Sequence, residues 1–256
     1  MMQQRFSLIY AHRGANKEAA ENTRSAFDKA LQYAIDGMET DVQLSRDEVP
    51  VLWHDTFLTK LGLAGKHVDD YDYAQLSTMD FSSHFSPDTK GEGIMSLQDF
   101  MDDYRKRCRL ILEIKNRDWE ASYRHHVKMQ KVLSMVGTTA PDSALIISSF
   151  HLASLTYAHK CKPEFPLVYN MEAEHTVTDA EQAITAQPFL HGLCLHISTL
   201  SEAMVRLLRA HGKSVTVYTC NTDAEINKAL ELGVDILISD FPQKALRLRE
   251  LRQQRS

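Results

Sequence analysis

Apolar positions along the chain switch repeatedly between two patterns. Short apolar runs alternate with stretches whose apolar residues recur at helical spacing, the marks of buried strands and amphipathic helices. Ser7-Leu8-Ile9-Tyr10-Ala11-His12 reads as a buried strand, with Arg13-Gly14 as the turn after it. Asn22 or Thr23 caps a helix expected through about Ile35. Ala26, Phe27, Ala30, Leu31 and Ala34 form its apolar face, and Gly37 ends it. The stretch 37–44 is the central strand, and 49–54 is a shorter companion. A helix over 97–107, a strand over 109–115 and a long helix over 119–135 follow. Five more strands are expected at 144–149, 166–169, 191–197, 214–219 and 235–238, each leading into a helix (152–159, 179–186, 202–211, 224–232 and 243–252).

Eight main strands each followed by a helix imply a parallel sheet covered by helices. Eight such units in 256 residues match a (β/α)8 barrel. An open doubly wound sheet is the alternative. It is disfavoured because no glycine-rich phosphate loop follows a strand; Gly91-Glu92-Gly93 lies elsewhere. Residues 56–95 break the pattern. They are rich in Asp, Ser, Gly and Tyr and read as an insertion after the second strand region of one domain spanning 1–256. Phe57, Leu58, Leu61, Leu63, Tyr71, Tyr73, Phe81 and Phe85 read as the insertion's own small core rather than a lipid-facing rim.

Composition narrows the class. With 43% hydrophobic and 25% charged residues, the chain is of the soluble globular type. A net charge of −5 without a polybasic block argues against nucleic acid or an anionic membrane as main partner, and leaves small phosphorylated molecules open. Cys108, Cys161, Cys194 and Cys220 are widely spaced and read as buried residues of a reducing compartment. The run from Met1 to Phe6 lacks a signal-peptide pattern, and no segment is long and apolar enough to span a membrane, so a cytoplasmic protein is expected. Arg247, Arg249, Arg252 and Arg255 read as cations complementing the last helix dipole.

Candidate chemistry gathers in the first third of the chain. Alternation puts Glu39, Asp41 and Gln43 on one face of the central strand and Met38, Thr40, Val42 and Leu44 on the other. Two inward carboxylates repel unless a cation lies between them. Glu113, on the neighbouring strand, completes an oxygen-only set suited to Mg²⁺ or Ca²⁺. The competing reading is a buried salt bridge from Glu113 to Lys115, Arg13 or Arg117. His12 and His54 end strands beside this set and can divide acid and base roles. Arg13 and Lys115 supply fixed positive charge for phosphoryl oxygens. His125 and His126 read as surface, and His67 and His196 stay open.

In order and spacing, His12-Arg13-Gly14, Glu21-Asn22-Thr23, Glu39-Thr40-Asp41-Val42, Val51-Leu52-Trp53-His54-Asp55 and Glu113-Ile114-Lys115 resemble the glycerophosphodiester phosphodiesterase family. So do Tyr218-Thr219-Cys220-Asn221, Gly233-Val234-Asp235 and Ser239-Asp240-Phe241-Pro242. The resemblance implies a TIM barrel with a small insertion after the His-Asp strand. It implies Glu39, Asp41 and Glu113 as holders of one divalent cation and His12 and His54 as the acid–base pair. Arg13 and Lys115 would contact phosphate, with Glu21, Asn22 and Tyr218 bordering the site. The implied reaction cleaves a soluble glycerophosphodiester to glycerol 3-phosphate and an alcohol, without stable membrane anchoring. The alternatives are a phospholipase-D-like barrel acting on intact lipids and a non-enzymatic metal- or phosphate-binding barrel. Tyr218 stands where the family commonly has Trp, and Thr56-Phe57-Leu58-Thr59-Lys60 replaces the usual Arg-Thr-Thr-like run.

Overall fold

The structure, a computed structural model, describes residues 6–137 and 144–254. Met1 to Arg5 and Arg255 therefore lie outside the described residues. The first half contains β1 (Leu8–His12), α1 (Arg24–Ala30), β2 (Gly37–Leu44), β3 (Pro50–Leu52), α2 (Tyr73–Leu76), α3 (Leu97–Tyr104), β4 (Arg109–Ile114) and α4 (Ser122–Val136). The second contains β5 (Leu145–Ser149), α5 (Leu152–Cys161), β6 (Leu167–Met171), α6 (Val177–Ala186), β7 (Gly192–His196) and α7 (Glu202–Ala210). It ends with β8 (Ser214–Tyr218), α8 (Asp223–Glu231), β9 (Ile236–Ser239) and α9 (Pro242–Gln253).

Eight parallel strands among the described residues close on themselves, because β1 pairs with both β2 and β9. Closure excludes the open doubly wound sheet. Period-2 alternation divides each strand between two cores. Ile9, Ala11, Met38, Val42, Leu110, Leu112, Val215, Val217 and Leu237 pack outward under the helices. Tyr10, Ile111, Ile146, Val168, Cys194, Ile236 and Ile238 fill the barrel. The same parity carries His12, Glu39, Asp41, Glu113, Lys115, Tyr218 and Asp240 to the inward side at the strands' C-terminal ends.

Two local expectations need correction. α1 stops at Ala30 with Leu31 as its C-cap, and Ala34 is exposed. Gly37 does not end that helix. It opens β2, where a Cβ would lie 2.5 Å from the Tyr10 ring and 2.7 Å from the Arg109 carbonyl oxygen. Close backbone approach, not a left-handed cap, is why glycine stands there.

β3 runs antiparallel to β2, with Val42 opposite Leu52. Beyond it the insertion has its own core of Val51, Trp53, Leu58, Val68, Leu76, Phe81 and Ile94. Burying Leu58, Leu76 and Phe81 contributes about 1.5–3 kcal/mol each. Phe57 and Phe85 depart from that expectation and remain exposed. Phe57 stacks on His67, which stacks in turn on Trp119.

Candidate active site

Strand register assembles the carboxylates. On one edge of β2, Asp41 pairs with Glu113 of β4. On the other edge β1 runs up to Glu39, where His12 is its partner, and β3 runs back down. The Trp53 amide donates to the Asp41 carbonyl at 3.2 Å, so His54 arrives beside the same stretch from the opposite direction. Carboxylate oxygens of Glu39, Asp41 and Glu113 all lie within 4.8 Å of one another.

The turn after β1 wraps this cluster. Arg13 and Asn22 both adopt left-handed backbone, with φ of 56° and 57°. For non-glycine residues this is strained and needs strong local support. That support is visible: the Arg13 amide donates to the Glu39 carbonyl at 2.9 Å, and the Asn22 amide to the Arg13 carbonyl at 3.1 Å. The Asn22 side chain donates to Asp41 Oδ2 at 2.9 Å and accepts from the Thr40 hydroxyl at 2.8 Å. Arg13 bridges Asp41 Oδ2 at 3.0 Å and Glu21 Oε2 at 3.1 Å. Lys115 Nζ lies 3.0 Å from Asp41 Oδ1 and also contacts Glu113. Glu113 therefore both pairs with Lys115 and lies within the carboxylate cluster.

The three carboxylates are not equivalent. Burial, then Asp41 and Glu113, push the Glu39 carboxyl well above its usual range. Burial alone would raise Asp41, but Lys115 and Arg13 outweigh it and hold Asp41 well below the usual range. Both Glu39 oxygens are buried without a hydrogen-bond partner. An all-oxygen set with an unsatisfied buried carboxylate fits a hard divalent cation. A stability test follows. In the metal-free fold Glu39 has a raised pKa, so its contribution is fully present below the unfolded value of 4.5 and is lost as pH rises through the raised value. Mg²⁺ or Ca²⁺ at a hundredfold excess over Kd should raise the neutral-pH Tm by roughly 5–10 °C. That increment should shrink as the pH is lowered toward 4.5. A scanning-calorimetry increment independent of pH would contradict it.

Each histidine rests on an aspartate. His12 Nδ1 is 2.6 Å from Asp240 Oδ1, and its Nε2 is 3.9 Å from Glu39 Oε2. Burial would raise Asp240, but the His12 hydrogen bond and charge hold it well below the usual range. An ionised Asp240 only accepts, so the proton sits on Nδ1 and Nε2 is the free base. Burial, then Arg13, lower the His12 pKa against the pull of Asp240. Asn16 and Asn221 donate to Asp240 at 2.7 and 2.9 Å. His54 Nδ1 lies 3.0 Å from Asp55 Oδ1, and Asp55 is held low first by that bond and then, against burial, by Lys60. Lys60, from the insertion, spans Glu21 Oε1 at 2.8 Å and Asp55 Oδ2 at 2.9 Å. Glu21, His54 and Asp55 form a second possible metal group, but this ammonium already lies between its carboxylates.

Sequence reasoning missed Asp240 and Lys60. It also gathered the site's charge toward the first third, whereas barrel closure brings Asp240 next to His12 across 228 positions. His125 is no surface residue: it is largely buried beneath the loop after β4, with Nε2 3.2 Å from the Arg117 carbonyl oxygen. His126 is exposed as expected. Tyr218 lines the same mouth, its hydroxyl donating to the Met171 carbonyl at 2.9 Å.

A cavity of about 480 Å³ opens here, lined by His54, Glu113, Lys115, Arg117, Phe150 and Tyr218 among others. A larger one, about 830 Å³, lies at the opposite barrel end near Phe6, Arg209 and Lys213. Its cations are engaged, Arg209 with Asp235 and Lys213 with two backbone carbonyls. The smaller cavity adjoins the carboxylate cluster and lies at the catalytic end of such barrels.

Residues 12–244 match the model of the glycerophosphoryl diester phosphodiesterase family. The chain belongs to this family. A glycerophosphodiester phosphodiesterase of Bacillus altitudinis is 30% identical over 246 residues, 94% of this chain and 98% of that protein. A phosphodiesterase of Oleispira antarctica, solved with the product sn-glycerol 3-phosphate, superposes with a TM-score of 0.84. It is 26% identical, over 96% of this chain and 97% of that one. A glycerophosphodiester phosphodiesterase of Parabacteroides distasonis shares the fold at a TM-score of 0.79 and 21% identity, over 98% of this chain and all (100%) of the other. The chain is thus a phosphodiesterase of glycerophosphodiesters, built on the barrel expected from its sequence.

Proposed function

We propose that this enzyme hydrolyses soluble glycerophosphodiesters to glycerol 3-phosphate and an alcohol, by metal-dependent acid–base catalysis within one barrel domain over 1–256. The observation that carries this reading is the convergence of Glu39, Asp41 and Glu113 beside His12, with both Glu39 oxygens unpartnered. Glu39, Asp41 and Glu113 would hold one Mg²⁺ or Ca²⁺, which supplies charge neutralisation at the phosphoryl group. Arg13 and Lys115 would contact the phosphoryl group, with Glu21 and Asn22 orienting Arg13 and Asp41. Tyr218 and Phe150 form the wall against which the organic part lies.

His12 and His54 approach the cluster from opposite ends of one β2 edge. One Nε2 takes a proton from the attacking water as its oxygen bonds to phosphorus, or from the substrate's glycerol hydroxyl in a route that a water then completes by opening the cyclic phosphate. The other, protonated, gives a proton to the alkoxide as its P–O bond breaks. Proton and charge then balance across the pair. Asp240 and Asp55 hold the rings in the tautomer this needs.

Asp240→Asn keeps the shape but can offer its amide group to Nδ1 and stabilise the wrong tautomer. Turnover should fall on the order of 10²-fold, with KM little changed, since orientation and not substrate contact is lost. A KM effect alone would show that Asp240 serves binding.

The reading favours soluble substrates over intact lipids, because most apolar residues of the insertion are spent on its own core. No helix among the described residues is long and apolar enough to cross a membrane. Cytoplasmic residence is part of the same reading, supported by four free cysteines. The test is a panel of glycerophosphodiesters followed by a coupled glycerol 3-phosphate assay. Release of glycerol 3-phosphate from at least one soluble diester is expected. Activity confined to lipid vesicles would overturn the reading.

A further inference from the structure

Lys128 lies in the middle of α4 and is completely buried, with 0% exposure. A helix face packed on a barrel normally takes an aliphatic residue there, and burial pushes the Lys128 pKa down. Its three donors are all used. Two reach Glu120 Oε1 and Oε2, each at 2.8 Å, and one reaches the backbone carbonyl of Lys115. Glu120 is as well hidden, with a side chain 4% exposed. It also accepts from the Arg117 amide at 3.1 Å.

A buried ion pair is a poor device for stability, since apolar residues of similar volume usually serve as well or better. The contacts of this pair indicate another use. Its hydrogen bonds fall at Lys115 and Arg117, the two cations of the loop between β4 and α4. Lys115 points its ammonium at Asp41 and Glu113, and Arg117 donates to the backbone carbonyl of His54. His125 closes the same loop from below through the Arg117 carbonyl oxygen.

We propose that the Lys128–Glu120 pair is a positioning device that fixes Lys115 and, through Arg117, His54 in their working geometry. This inference rests on the functional reading above. Neither residue touches the cluster or the cavity, so neither is catalytic. The pair holds the one loop that links the phosphate-facing lysine to the backbone of the second histidine. A loop loosened there lets both drift, and small misplacements of reacting groups are costly in rate.

The deciding variant is the double replacement Lys128→Met with Glu120→Leu, which removes both charges and leaves neither partner stranded. It should fold and melt close to the wild type. Its kcat/KM for the best glycerophosphodiester should fall on the order of 10–100-fold, the scale seen when groups that orient an active residue are lost. Two components are expected: KM rises because Lys115 is loosened, and kcat falls because His54 is loosened. Lys128→Gln, which keeps one donor for the Lys115 carbonyl, should show a smaller loss of the same kind. A folded double variant with kcat and KM within a few-fold of wild type overturns the inference. Failure of both designs to fold also overturns it, because the pair would then be a structural pin. A wild type inactive on every diester refutes the functional reading instead.

Discussion

Excess EDTA should abolish release of glycerol 3-phosphate, and Mg²⁺ or Ca²⁺ should restore it. The reason is electrostatic. Glu39 is buried between like charges and no hydrogen bond reaches either oxygen. Arg13 and Lys115 are already shared among Asp41, Glu21 and Glu113. A phosphodiester entering the metal-free mouth meets more negative charge than these two cations can offset. Lewis-acid assistance is worth several kcal/mol, so its loss should cost about 10³-fold or more. Glu39→Ala should be as inactive as the chelated enzyme while its metal-free fold melts no lower, since repulsion is relieved. Asp41→Ala should lose activity and stability together, because it removes the carboxylate between Arg13 and Lys115 and leaves each with a single partner, Glu21 and Glu113, at a cost of up to about 3–5 kcal/mol. Undiminished turnover in excess EDTA would refute metal dependence, and equal melting of the two alanine variants would refute the difference in charge roles.

The two histidines should separate by substrate. An alcohol leaves poorly without a proton, whereas p-nitrophenolate leaves well without one. Asparagine at the acid position should therefore cripple a natural diester and largely spare a p-nitrophenyl diester. Asparagine at the base position should harm both. Each loss should lie on the order of 10²–10⁴-fold. The environments differ in a way that bears on the assignment. His12 is pushed toward its neutral form by burial and Arg13, while His54 is more open, with a third of its side chain (33%) exposed. We expect His12→Asn to be the variant that fails on both substrates. Equal losses for both variants on both substrates would make the pair joint phosphate binders.

Much of this was legible in the chain because the chemistry is local in sequence. A period of two puts Glu39 and Asp41 on one face, and Glu113 reaches them through the next parallel strand. The barrel was legible because eight strand–helix units have few other ways to close. What escaped was the product of closure. Asp240 stands in the Ser239–Pro242 stretch of the resemblance with no role assigned to it; only β9 pairing with β1 makes it the partner of His12. Lys60 escaped because the insertion has no regular period, so nothing in its pattern says which side chain turns back to the mouth. Lys128 reads as one more cation on a charged helix, and tertiary packing alone buries it. The end of α1 was misplaced because Gly37 was read for its backbone freedom, when its lack of a Cβ is what matters.

The most direct test of the account is anomalous diffraction from crystals soaked in Mn²⁺, which stands in for Mg²⁺ at hard oxygen sites. The account predicts one peak within bonding distance of the Glu39, Asp41 and Glu113 carboxylates, lost in Glu39→Ala. A peak at Glu21, His54 and Asp55 in place of Lys60, with none at the three-carboxylate cluster, would contradict it.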